Sequence, residues 1–283
     1  MTLRLSTYNC ENLFSRASQP SAGAPGSRPR RRRLDPRRSQ AKARVLRAVD
    51  ADVQCLLAVE DHSALEAFNG LLLHGRFPYH LLLEGNDRRA MHLGVLSKLP
   101  LGRLRSHCFD CDDDGPVFGR DCLELELELP GGPSLHLLLN HFDSPGDDER
   151  LRRQARAVGR ILGAHYDLSR DLVAVLGDLN DSPQRAPQSL APLLRLPGLN
   201  DVLALQFPIP DDRWTGHRRR NEQLDYILVS DALKGRFLRA GAERRGMPDL
   251  AYHSIAQERP FAGLGAGARE ASGRAAVWAD FDL

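Results

Sequence analysis

Residues 172–183 read LVAVLGDLNDSP. Five apolar residues in succession, followed at once by Gly177, Asp178, Leu179 and Asn180, describe a strand covered on both faces that ends abruptly in polar side chains. A single Asp or Asn at a strand end is usually a turn former, but the same event recurs elsewhere. The strand-like run 3–9 ends on Asn9, with Glu11 two residues on and therefore on the same face. His141 follows the apolar run Leu137-Leu138-Leu139, flanked by Asn140, and Gln223-Leu224-Asp225-Tyr226 opens another strand. Four strand ends thus carry carboxylates, amides and an imidazole where a core would not choose them.

Working outward, strand-like segments recur at 53–60, 79–83, 92–97, 224–229 and 275–281. Leu123, Leu125, Leu127 and Leu129 alternate with Glu124, Glu126 and Glu128, and Pro130-Gly131-Gly132-Pro133 turns that strand into the segment 134–142, which predicts a hairpin. Helical patterns fall at 41–49, 63–73 and 149–165. In the last, Leu151, Ala155, Val158 and Leu162 share a face, and Asp147, Asp148 and Glu149 suit the positive end of the helix dipole. Strands outnumber helices and several are sequential hairpins, so the pattern predicts an α/β (α+β) chain of two packed sheets with helices outside.

The 283 residues make one large domain or two small ones, and a hydrophobic share of 42% with 27% charged residues is ordinary for a globular chain. There is no apolar run long enough for a transmembrane helix and no secretory h-region at the start. Five cysteines, an odd count, argue against a disulfide scaffold; the expectation is a reducing, cytoplasmic compartment. Cys108 and Cys111 are spaced C-x-x-C without a second pair, which leaves two loop thiols as the default over zinc or redox chemistry.

Residues 17–40 break the alternation and predict a mobile basic loop. Between Arg28 and Arg38 stand seven arginines and one acid, Asp35, a balance of +6 against a whole-chain charge of +2. Two readings stand for it: a solvated charge run, or an arm that attracts phosphates through charge and bidentate hydrogen bonds. Arg88, Arg89 and Arg120 sit at loop or strand ends where they line either a phosphate groove or plain surface. Trp278 reads as core.

In order along the chain, TYNCENLF at 7–14, the strand 52–61, Asn140-His141-Phe142, GDLNDSP at 177–183, QLDYILVS at 223–230 and AVWADF at 276–281 resemble the endonuclease/exonuclease/phosphatase superfamily. That group includes DNase I-like nucleases, exonuclease III-like repair enzymes, sphingomyelinases and inositol polyphosphate phosphatases. The resemblance implies a single domain over 1–283, a four-layer αββα sandwich with a site at one edge between the sheets. It also implies hydrolysis of phosphoesters with Mg²⁺ (or Mn²⁺). Carried over by position, Asn9 and Glu11 would lie near the metal, Asp178 would orient or deprotonate the attacking water, Asn180 would hold a phosphate oxygen and His141 would face the phosphate. Asp225 would support a C-terminal histidine. These residue types suit the chemistry, because magnesium, hydrogen-bond donors and imidazolium offset the negative charge that builds on phosphorus.

Two departures stand out. Where the superfamily carries Leu-Gln-Glu-Val with its main metal-binding glutamate, this chain reads Leu56-Leu57-Ala58-Val59-Glu60, which puts Ala58 at the glutamate position. Glu60 is expected on the same strand face, two residues and about 6.6 Å further along. Where the superfamily carries Ser-Asp-His, this chain reads Ser272-Gly273-Arg274. Arg274 is the candidate partner of Asp225 and, with Arg120, a candidate phosphate contact, and His253, the only histidine after His217, is a minor candidate for the vacant role. Two functions follow: a metal-dependent phosphodiester hydrolase with weakened metal binding shared by Asn9, Glu11 and Glu60, or an inactive relative that binds nucleic acid or another phosphorylated ligand. A monomer is expected in either case.

Overall fold

The computed structural model describes residues 1–14, 35–87, 89, 91–144, 146–186, 188–217, 220–248, 259–264 and 270–283. In chain order the main elements are β1 (Thr2–Leu13), α1 (Pro36–Val49), β2 (Val53–Val59), α2 (His62–Ala67), β3 (Tyr79–Leu83) and β4 (His92–Ser97). They continue with β5 (Leu101–Ser106), β6 (Cys122–Leu127), β7 (Leu135–His141), α3 (Asp148–His165) and β8 (Leu172–Asp178). The last are β9 (Leu199–Asp201), β10 (Asp225–Ser230), β11 (Phe237–Glu243) and β12 (Ala276–Asp282). Two six-stranded sheets result, ordered β11-β12-β1-β2-β4-β3 and β9-β10-β8-β7-β6-β5. Only β1–β2 and β7–β8 pair in parallel within them.

The sheets face each other across one apolar core. Leu3 and Leu5 of β1, Val53, Cys55 and Leu57 of β2, Leu135, Leu137 and Leu139 of β7, Leu172, Ala174 and Leu176 of β8, and Ile227 and Val229 of β10 all point into it. Each fully buried aliphatic side chain of this kind contributes about 1.5–3 kcal/mol, so register is tightly fixed. A slip of one residue would turn a whole strand inside out. Continuing the same period-2 rows toward one edge of the sandwich brings Asn9, His141, Asp178 and Asp225 onto the inward face, which is how the apolar pattern aims the polar residues.

The outer layers are helical. On the first sheet α1 packs Ala41, Val45, Leu46 and Val49 against Tyr8, Leu56 and Leu96. On the second sheet α3 packs Leu151, Ala155, Val158 and Leu162 against Leu138, Val173 and Val175. The four-layer αββα order is therefore as the sequence implied. The helix α1 begins earlier than expected: Asp35 caps it by accepting from the N–H groups of Arg37 and Arg38, with Pro36 in the first turn. Residues 36–40 are thus helical rather than part of the expected loop, and 15–34 lie outside the described residues. The expected helix 63–73 is split into α2 and a π-helical turn, Phe68–Leu72.

Trp278 is a correction. It is only half-buried at the margin of the outer cluster, with the Arg4 guanidinium 4.3 Å from its ring centre. Position 278 alternates away from the inter-sheet core that takes Val277 and Ala279. No helix among the described residues is long and apolar enough to cross a membrane.

Candidate active site

At one edge of the sandwich, strand register sets three titratable residues in a row. Asp178 is opposite His141 on β7 and opposite Asp225 on β10. Asn9 comes from the facing sheet and donates from Nδ2 to Asp178 Oδ2 at 2.8 Å, with His141 Nε2 at 3.5 Å from the same amide nitrogen. Asn180, in the left-handed region at φ 57, donates from its backbone N–H to Asp178 Oδ1 and from Nδ2 to the Phe142 carbonyl. The structure therefore brings Asn9, His141, Asp178, Asn180 and Asp225 together, and all five are buried.

Arg274 occupies the middle of this group. Nη1 donates to Asp178 Oδ1 at 3.0 Å and to Asp225 Oδ2 at 3.2 Å, while Nη2 is 2.8 Å from Asp178 Oδ2 and donates to Asn180 Oδ1 at 2.9 Å. A bidentate guanidinium–carboxylate pair of this kind is among the stronger hydrogen-bonded contacts available to a protein. Burial disfavours the charged form of Arg274, but Asp178, Asp225 and Glu11 more than offset it and raise its pKa. Burial, then the neighbouring charge of Asp178, pushes the Asp225 carboxyl up to about 7 against the relief given by Arg274. Thr215 Oγ1 also donates to Asp225 Oδ2 while accepting from the Leu224 and Asp225 N–H groups. Burial, then Arg120 and Arg274, drive the His141 pKa well down, so its imidazole is neutral at neutral pH.

The expected metal residues are differently placed. Glu11, at φ 43, donates its N–H to Asn9 Oδ1, and its carboxylate accepts from the Gly273 N–H at 2.9 Å with Arg38 at 3.6 Å. A side chain at 273 would compete for that space, since a Cβ there would stand 3.0 Å from Glu11 Oε1. Ala58 is the extra residue of a β-bulge, at φ 61 between the pairs Leu57–Leu93 and Val59–His92. The bulge breaks the period-2 count from 58 to 60, so the expected common face of Ala58 and Glu60 does not hold. Glu60 leaves the strand with its N–H bonded to the Leu13 carbonyl.

Magnesium demands a near-octahedral shell of oxygen ligands, and the residues present do not fit it. A guanidinium sits among the carboxylates, Ala58 packs with Phe14 and Met91 in a small apolar cluster, and Glu11 is turned to Gly273. Among the described residues there is no group of three His, Cys, Asp or Glu side chains able to hold an ion.

Arg120 is not directed at a phosphate position. It is buried, donates from Nη1 to the carbonyls of His141 and Phe142, and lies 3.1 Å from the Asp87 carboxylate, so it braces the end of β7. Arg89 pairs with the same Asp87. Arg88 and His253 lie outside the described residues. Cys108 is buried and Cys111 exposed, both as free thiols.

Sequence reasoning missed Thr215 and Lys42. Lys42 is buried in α1, its amine lowered to about 8 by burial, and donates to the carbonyl of Asn12 in the left-handed turn after Asn9. A lysine inside a run of buried helix positions is a readable signal, whereas Thr215 carries none.

The sequence profile of the Endonuclease/Exonuclease/phosphatase family matches residues 6–246. No curated protein sequence matches the chain. Among solved structures it is similar to an endonuclease/exonuclease/phosphatase from Beutenbergia cavernae (18% identity, TM-score 0.67, all of this chain and 72% of that one). It is similar also to sphingomyelinase C from Streptomyces griseocarneus (18%, 0.63, all of both chains). A third is D. rerio TDP2 complexed with a single-strand DNA product (16%, 0.65, all of this chain and 99% of that one). At these identities the likeness is one of fold, and the profile match over most of the chain supplies the family: this protein belongs to the endonuclease/exonuclease/phosphatase family.

Proposed function

We propose that this chain is a non-hydrolysing member of its family that binds nucleic acid. The observation that carries the reading is the engagement of Arg274 with Asp178, Asp225 and Asn180. Both Nη nitrogens each serve two acceptors, so these donors are committed inside the protein. The carboxylate best placed to activate water is held in a charge-neutralised pair, which removes the basicity a general base requires. His141 is neutral and cannot offset phosphoryl charge as imidazolium.

Support for a nucleic-acid ligand comes from the +6 arginine cluster at 28–38 and from the single-strand DNA held by the TDP2 relative. Retention of Asn9, His141, Asp178 and Asn180 at one strand edge favours a second reading, residual metal-dependent hydrolysis. One experiment separates the two. Fluorescent DNA and RNA oligonucleotides are incubated with the protein in Mg²⁺ or Mn²⁺, and binding and chain length are followed together. The first reading expects bound, full-length oligonucleotide. Metal-dependent cleavage that is lost in Asp178→Asn would overturn it.

A further inference from the structure

With Arg274 bonded among the carboxylates at the sandwich edge, a bound polymer needs another surface. We propose that the outer face of the first sheet, along β11 and β12, is a track for single-stranded nucleic acid; this rests on the nucleic-acid reading above and gives it a location. Two aromatic rings there are each flanked by two arginines. Trp278 has Arg4 at 4.3 Å and Arg239 at 5.7 Å, and Phe261 has Arg245 at 4.6 Å and Arg44 at 5.1 Å. The Trp278 indole packs against Gly241, where a Cβ would come within 2.7 Å of the ring, so the bare glycine is what lets the ring approach the strand. A groove of about 740 Å³ runs alongside, with Arg245, Arg259 and Trp278 in its wall.

Charge and order both suit a polyanion. Arg4, Arg44, Arg239, Arg245 and Arg259 stand with four acids, Asp280, Glu243 and, beside Arg4, Asp50 and Asp52, which leaves five minus four, or +1. The acids also hold guanidiniums in place: Asp280 accepts from Arg4 and Arg239, and Glu243 takes Arg245 through both oxygens. Guanidinium–aromatic contacts held this way are platforms on which an unpaired base adds a further layer, while arginine edges meet phosphates. A duplex hides its base faces and gains nothing from rings, so the pairing of rings with arginines favours a single strand. The end of β11 is tied to the segment that carries Gly273 and Arg274, because the carbonyl of Gly246, next to Arg245, accepts from the Ala271 N–H.

The test uses the full-length protein and a labelled oligothymidylate of about twelve nucleotides, read by anisotropy and by tryptophan fluorescence. Trp278 is the more exposed of the two tryptophans, Trp214 being 3% exposed. Wild type is expected to bind with quenching, more weakly at high salt, and Trp278→Phe to lose the quench. Arg44→Ala with Arg239→Ala is expected to bind about tenfold or more weakly at an unchanged melting temperature. Equal binding by that double variant overturns the track, and so does complete loss on changing Arg30, Arg31, Arg32 and Arg33 to serine, or equal affinity for polyglutamate. A wild-type protein that binds no oligonucleotide overturns the nucleic-acid reading itself.

Discussion

Arg274 meets Asp178 through two parallel contacts, Nη1 to Oδ1 at 3.0 Å and Nη2 to Oδ2 at 2.8 Å. Both side chains are buried, at 6% and 0% exposure, and Asp225 and Asn180 complete the guanidinium's shell. The pair leaves no uncompensated charge on Asp178, at the edge that the family resemblance marks as catalytic.

Arg274→Met should therefore be severely destabilising. Removing one partner of a buried ion pair costs about 3–5 kcal/mol, because the other charge is left without compensation. Here Asp178 and Asp225 would face each other as like charges with no guanidinium between them. The deficit should be largest near pH 8 and shrink toward about pH 5 as Asp225, its carboxyl already raised to about 7, takes up a proton. Urea unfolding at the two pH values checks this; a loss below about 1 kcal/mol at pH 8 would show that the pair is not holding the edge together.

His141 gives a pH dependence of defined sign. Its folded pKa lies well below the ordinary 6.5, so below that value the unfolded chain binds a proton that the native state refuses. Stability from His141 is present above about pH 6.5 and falls by up to about 1.4 kcal/mol per pH unit below it. Asp225, with its folded pKa raised to about 7, acts oppositely, its contribution being lost as pH rises toward that value. Subtracting the stability curve of His141→Gln from that of wild type cancels the Asp225 contribution. The difference should fall from about pH 7 to pH 5, and a flat difference would mean that His141 is solvated or paired when charged.

Ala58 keeps a left-handed backbone, φ 61, in the bulge that the resemblance assigns to a metal-binding glutamate. An L-residue there carries about 1–2 kcal/mol of steric cost, while glycine gives back about 0.5–1 in chain entropy. Ala58→Gly should raise stability by about 0.5–1 kcal/mol by denaturant unfolding. A decrease beyond about 1 kcal/mol would show that the methyl's packing on Phe14 and Met91 outweighs the strain.

The polar strand ends were legible because alternation is a local property. Leu172, Ala174 and Leu176 fix the face on which Asp178 must emerge, and Leu135, Leu137 and Leu139 do the same for His141. The bulge at Ala58 was not legible, since an inserted residue is defined only against the register of β4. Nor was the direction of Arg120, whose guanidinium reaches backbone carbonyls more than twenty residues away. Trp278 misled because a large aromatic in a strand is usually interior, and its exposure depends on β11 presenting Gly241 beneath it. The early start of α1 was obscured by its arginines, although Asp35-Pro36 is a readable helix start.

The central claim is that a guanidinium, not a divalent ion, neutralises the carboxylates of this edge. Titrating Mn²⁺ into the protein by calorimetry, beside the triple variant Ala58→Glu, Gly273→Asp, Arg274→His, tests it most directly. Wild type should give no binding heat and no rise in melting temperature up to about 10 mM metal, while the triple variant, once Glu11 has moved off position 273, should show both. Saturable Mn²⁺ binding by wild type at sub-millimolar concentration, abolished by Asp178→Asn, would contradict it.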